Sequence, residues 1–178
     1  DVIASPSVVE GEGLVFTITL SAFTVDPTVY PFVLGGGSAS VIDYTQLIFS
    51  PGVINNGDGT ITVPVGVNSF TATLPTIDDI EVELTETVPL TVGGVTGTGI
   101  ILDNDQPTIV DIESGGPGVG DDAVIEGNNL VFTVTLSEAP LSPAIYSFNL
   151  GPGTATAGLD YTTLTFNNGV VDNGDGTI

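Results

Sequence analysis

The stretch VVEGEGLVFTITLS (Val8 to Ser21) returns as VIEGNNLVFTVTLS (Val124 to Ser137), displaced by 116 positions. Inside it, LVFTITL (Leu14 to Leu20) alternates, with Leu14, Phe16, Ile18 and Leu20 on one face and Val15, Thr17 and Thr19 on the other. Successive side chains of an extended backbone point to opposite sides, so a period of two marks a strand with one buried face. No segment of useful length carries the 3.6-residue period of an amphipathic helix. The expected class is all-β.

Working outward, short runs rich in Val, Ile, Thr and Phe follow at VYPFVL, TQLIF, TITVPV, SFTATL, VPLTV and GTGIIL, punctuated by Gly, Pro and Asn-Gly. Pro31 lies inside one run, which places that strand at a sheet edge. The repeat continues. YPFVLGGGSASVIDYTQLIF returns as YSFNLGPGTATAGLDYTTLTF with one residue inserted, and NNGDGTI (Asn55 to Ile61) returns as DNGDGTI (Asp172 to Ile178). Asn-Gly and Asp-Gly steps are hairpin-turn signals because Gly and Asn tolerate positive φ. About seven to nine short strands in some 105 residues is a β-sandwich count. The expected organisation is a first sandwich over residues 1–105 and a second repeat over 106–178, lacking the counterparts of residues 62–105. Such a repeat would expose a hydrophobic seam and unpaired edges. Two explanations stand: a boundary inside a longer array, or a neighbouring molecule that supplies the strands. With no Met, the chain is expected to be a segment of something longer.

Composition then removes function classes. The 178 residues include 22 Asp and Glu and no Lys, Arg, His or Cys. That leaves no imidazole base, thiolate, Schiff-base amine or nitrogen–sulfur zinc site. Nothing basic can clamp phosphate, and a net charge of −22 repels nucleic acid and anionic membrane. No run of about 18 apolar residues is present, and no basic region precedes an apolar stretch as in a signal peptide. A hydrophobic fraction of 41% excludes a disordered acidic tail. Without disulfides, metal ions are the obvious staples for a secreted fold.

The acids are not spread evenly. TIDDIEVELTETV places Asp78, Asp79, Glu81, Glu83 and Glu86 within nine residues. Glu10 and Glu12 precede the LVFTITL strand, Asp43 precedes Tyr44, and Asp103 and Asp105 close the last strand in ILDNDQP. Loops of a Greek-key sandwich gather at its two ends, so these segments can converge. Two bare carboxylates about 4 Å apart repel by roughly 4 kcal/mol at an effective dielectric near 20. Several such pairs would exceed the net stability of a small domain. Either the acids point separately into water, or a hard cation binds them; a site made only of oxygens suits Ca²⁺.

DDIEVELTE, the terminal ILDND, the early V-x-E-G-E-G and the GTATAGLDYT of the second unit together resemble the Calx-β domain family. The resemblance covers all of the first unit and the part of the second that is present. It implies tandem immunoglobulin-like (Greek-key) β-sandwiches, found in large bacterial surface proteins, sodium–calcium exchangers and integrin subunits. It also implies a Ca²⁺ ligand set of Glu10, Asp43, Asp78, Asp79, Glu83, Glu86, Asp103 and Asp105. Asn104 departs from the pattern by replacing one acid of the terminal cluster. Glu12 and Glu81 fall outside it and are expected to be solvated. The second unit keeps Glu126 and Asp160 alone, while Asp111, Glu113, Asp121 and Asp122 flank the junction and suggest an ion there.

The function expected from these features is a structural repeat segment of a secreted cell-surface adhesin or extracellular filament, with calcium stiffening the modules. Its partners would be neighbouring repeats or identical subunits in a fibre. The alternative is a calcium-dependent carbohydrate- or surface-binding module. That reading needs aromatic platforms, whereas the chain has no Trp, 4 Tyr and 8 Phe, most of the Phe in alternating strands. Tyr44 and Tyr161 are expected to pack structurally. Hydrolysis by paired carboxylates is disfavoured because loops this short build no cleft, so no enzyme is expected.

Overall fold

The first unit, Asp1–Asp105, holds ten strands. They are β1 (Val2–Ile3), β2 (Ser7–Val9), β3 (Gly13–Thr19), β4 (Thr28–Leu34), β5 (Ile48–Phe49), β6 (Ile54–Asn55), β7 (Thr60–Val63), β8 (Ser69–Pro75), β9 (Glu86–Val92) and β10 (Val95–Leu102). The computed structural model describes residues 1–115, 123–151 and 153–178, and no helix occurs among them. The protein is all-β.

Two sheets enclose one core. The first runs β1-β3-β8-β5 and the second β2-β10-β9-β4-β7-β6. All neighbours are antiparallel except β2 and β10, which run parallel with Val9 beside Leu102. The alternation of LVFTITL is realised as expected: Leu14 and Phe16 are 0% exposed and Ile18 is 2% exposed, while Val15, Thr17 and Thr19 face solvent. Phe70, Ala72 and Leu74 of β8 line the same sheet, facing Ile61, Val63, Val88, Leu90, Val92 and Ile101 of the other. Each fully buried large side chain contributes about 1.5–3 kcal/mol, which makes this layer the main source of stability. The sheets approach most closely at β10. A Cβ on Gly99 would stand 2.4 Å from Leu14 Cδ2 and 2.8 Å from Phe16 Cζ, so glycine there makes room for the large residues opposite.

Pro31 departs from expectation. Its strand β4 lies inside the second sheet, between β9 and β7, rather than at an edge. The two halves of β4 use different partners: Thr28–Pro31 pair with β7, and Phe32–Leu34 with β9. Pro31 stands at the handover. Its carbonyl accepts from Gly93 N at 2.9 Å, in the turn joining β9 to β10, so its missing N–H faces the end of a ladder.

Among the described residues of the second unit, Gln106–Ile178, β11 (Ile109–Ser114) and β12 (Phe132–Leu136) form one two-stranded antiparallel sheet. Several details of the first unit recur in it. Phe32 and Phe49 meet edge-to-face with centroids 5.2 Å apart, and their counterparts Phe148 and Phe166 do so at 5.2 Å. The Asn-Gly-Asp-Gly turns share their Thr-to-Asp bonds. Thr60 donates from N (3.0 Å) and Oγ1 (2.6 Å) to Asp58 Oδ1, and Thr177 repeats both distances to Asp175 Oδ1. The threonine hydroxyl lowers the pKa of Asp58 and, in the same way, of Asp175. Burial is what does not recur: Phe132, counterpart of Phe16, is 43% exposed.

Candidate metal centre

Four separate segments of the first unit bring their acids to one end of the sandwich, and the strand pairing explains how. Because β2 and β10 are parallel and in register, Glu10 after β2 and Asp103–Asp105 after β10 leave the sheet side by side. Glu86 opens β9 opposite Ile101, and Pro75 closes β8 opposite Gly13, so the connection from 76 to 85 crosses this same end. Tyr44 bridges Thr76, and Ile77 N donates to Asp43 O at 2.8 Å, tying the β4–β5 loop to that connection. Tyr44 thus packs structurally against the core, as expected.

The carboxylates form two trios. Glu10, Asp79 and Asp105 offer oxygens that all lie within 4.8 Å of one another, and so do Asp43, Glu83 and Glu86. Glu10 and Asp43 are buried, each 7% exposed. Glu10 Oε1 accepts from Asn104 N at 3.1 Å, while Asp43 Oδ2 accepts from Ser40 N. Asp103 stands between the trios: Oδ2 accepts from Glu83 N and Oδ1 from Asp105 N, both at 3.0 Å. Asp78 belongs to neither trio, and its Oδ1 accepts from Asn104 Nδ2 at 2.9 Å. Of the eight expected ligands, six therefore fall into the trios, while Asp78 and Asp103 bind amides around them. Glu12 and Glu81 are exposed and belong to neither trio, although Glu81 N holds Asp79 Oδ1 at 2.7 Å.

Asn104 has a larger role than its sequence position suggests. Read in sequence it is a missing acid; in three dimensions its backbone and side-chain amides serve Glu10 and Asp78 at once. Ser40 also escaped the sequence reading. Its bond to Asp43 is donated by the backbone N–H, which any non-proline residue offers, so the residue type at 40 carries no signal for it. The signal lies in Asp43, whose short carboxylate reaches back to nearby backbone.

Electrostatics show the strain of this packing. Burial pushes the Glu10 carboxyl up from 4.5 to about 7; Asp105 and Asp103 add to the rise, while the Asn104 N–H opposes it. Glu86 also rises to about 7, first through burial and then through Asp43 and Glu83. Glu83 shifts the same way, from burial and the charges of Asp43, Asp79, Asp103 and Glu81. Asp105 Oδ2 is buried with no hydrogen-bond partner, the one such side-chain atom among the described residues. Oxygen-only donors, an orphaned carboxylate oxygen and like charges held together all fit a hard divalent cation. The trios would supply the anionic ligands, and water or further oxygens would complete the six to eight that Ca²⁺ takes.

A pH dependence follows. The folded state binds protons at Glu10 and Glu86 more tightly than the unfolded chain, so these groups favour folding below about 4.5. That contribution is lost as pH rises to about 7. In chelator, denaturant melts of the chain should show the first unit weakening across this window, and saturating calcium should flatten the curve. A chelated first unit that gains stability across it would contradict the raised values.

Among the described residues the second unit forms no such trio. Asp160 Oδ2 accepts from Thr156 N at 2.7 Å, a turn-capping bond like that of Asp43. Asp111 and Glu113 lie on β11, and Asp121 and Asp122 fall outside the described residues. No family model and no curated protein matches this chain.

Proposed function

We propose that this chain is a structural segment of a secreted surface adhesin or extracellular filament, built from Calx-β-like, immunoglobulin-like modules, and that the first module is stiffened by Ca²⁺ at its two carboxylate trios. One observation carries the reading: Glu10, Asp79 and Asp105, and Asp43, Glu83 and Glu86, are gathered within 4.8 Å in a chain with no basic side chain. A cation is then the only means of neutralising them without protonation. Bound ions would tie the loop over 76–85 to the ends of β2 and β10, so that load passes through ion–carboxylate contacts instead of a frayed loop. Extracellular modules of this kind bind Ca²⁺ at about 10⁻⁴ to 10⁻³ M, which calcium outside cells satisfies. In the parent molecule the partners would be adjacent repeats or identical subunits.

Calorimetric titration with Ca²⁺ tests the reading directly. Two ions should bind per chain, Glu10→Gln and Glu86→Gln should each remove one, and Mg²⁺ should compete poorly because it demands tighter octahedral geometry. Absence of binding heat and of any amide-exchange protection over 76–85 at millimolar calcium would sink the proposal.

A further inference from the structure

Three Asn-Gly steps occur in the chain, at Asn56-Gly57, Asn168-Gly169 and Asn173-Gly174. This dipeptide is chemically labile. The glycine backbone nitrogen attacks the asparagine Cγ, the new N–C bond closes a succinimide, and Nδ2 leaves as ammonia with the proton shed by the glycine nitrogen. Water then opens the ring at either carbonyl, leaving aspartate or isoaspartate. The reaction needs a free glycine N–H and an asparagine side chain able to turn toward it.

The structure separates the three sites on both requirements. At Asn56 the side-chain amide donates to Thr60 Oγ1 (2.9 Å) and Thr62 Oγ1 (3.1 Å), and Gly57 N is held by Asn55 Oδ1 at 3.0 Å. At Asn173 the amide donates to Thr177 Oγ1 at 2.9 Å, and Gly174 N is held by Asp172 Oδ1 at 2.8 Å. The Asp172 carboxylate also opposes loss of the proton from that nitrogen. Asn168 differs. It is exposed, and neither its side chain nor Gly169 N has a hydrogen bond among the described residues. It is also the one described non-glycine residue with positive φ, at 54°, followed by Gly169 at 82°. The turn around it closes through Val170 N and Asn167 O at 3.1 Å; the first unit closes the same turn through Val53 N and Ser50 O at 3.2 Å, with Pro51-Gly52 at its tip. The chemistry is therefore open at one repeat only.

We propose that Asn168 is the site of spontaneous deamidation and isoaspartate formation in this chain, and that the two Asn-Gly-Asp-Gly hairpins are shielded by their own hydrogen bonds. Each net hydrogen bond that must open slows attack by roughly fivefold, so Asn168 should react on the order of tenfold or more faster than Asn173 or Asn56.

The full chain, aged in mildly alkaline buffer, is digested with an endoprotease cutting before Asp and read by mass spectrometry with electron-transfer fragmentation. Cleavage before Asp160 and Asp172 places Asn168 and Asn173 on separate peptides. The expected result is early conversion at Asn168 in the folded chain, and convergence of the three rates in urea. Asp172→Ala, in an exposed turn, should accelerate Asn173 severalfold, read from the fragment ions of the joint peptide over 160–174 that this variant yields. Equal rates in the folded chain, or an order that persists unchanged in urea, would overturn the proposal.

Discussion

Withdrawing calcium should lower the melting temperature of the first unit by about 10–20 °C per ion, measured against calcium at a hundred times its Kd. At that excess each ion adds about 2.7 kcal/mol to a native state that alone binds it, and a domain near 100 residues shifts about 4–8 °C per kcal/mol. A general salt effect would give a shift of one sign in every variant, and the trios predict otherwise. Glu10→Gln and Glu86→Gln should melt higher than the parent in chelator, by a few °C, because each removes a carboxylate that burial and neighbouring acids hold above its ordinary pKa. In calcium the same variants should melt lower by roughly 10 °C, since each has lost an ion ligand. Differential scanning calorimetry with and without chelator reads both signs. Curves that do not cross would show that the acids are only solvated neighbours.

The second large effect contrasts two residues that occupy the same place in the repeat. Phe16→Ala should cost about 3–5 kcal/mol, enough to unfold much of the first unit, because Phe16 is fully buried and its ring fills the space left by Gly99. Phe132→Ala should cost under about 1 kcal/mol, because 43% of that residue is already in water. Denaturant titration followed by circular dichroism distinguishes the two. Equal costs would mean that the exposed face of β12 is covered in solution.

Much of this was legible in the chain itself. A period of two decides a strand whatever it pairs with, so the buried face Leu14, Phe16, Ile18 and Leu20 was readable from residue order, as were the glycine-rich turns. Pro31 was misplaced because a missing N–H shows only that one ladder bond is absent. It does not show whether a strand lies beyond, and β4 changes partners at that residue. The short strands β1, β2 and β6 carry too few residues to show a period, and pairing alone defines them.

The candidate centre divides along the same line. By itself the sequence determined that the acids are numerous, clustered and without any basic partner, because composition is independent of folding. Only the tertiary structure decided which of them meet. The parallel pairing of β2 with β10 sets Glu10 beside Asp105, residues 95 positions apart, while Asp78 joins neither trio and accepts from the Asn104 side-chain amide. Charge is a property of each residue, but repulsion and coordination depend on distances of a few ångström, and those exist only once the sheets have closed.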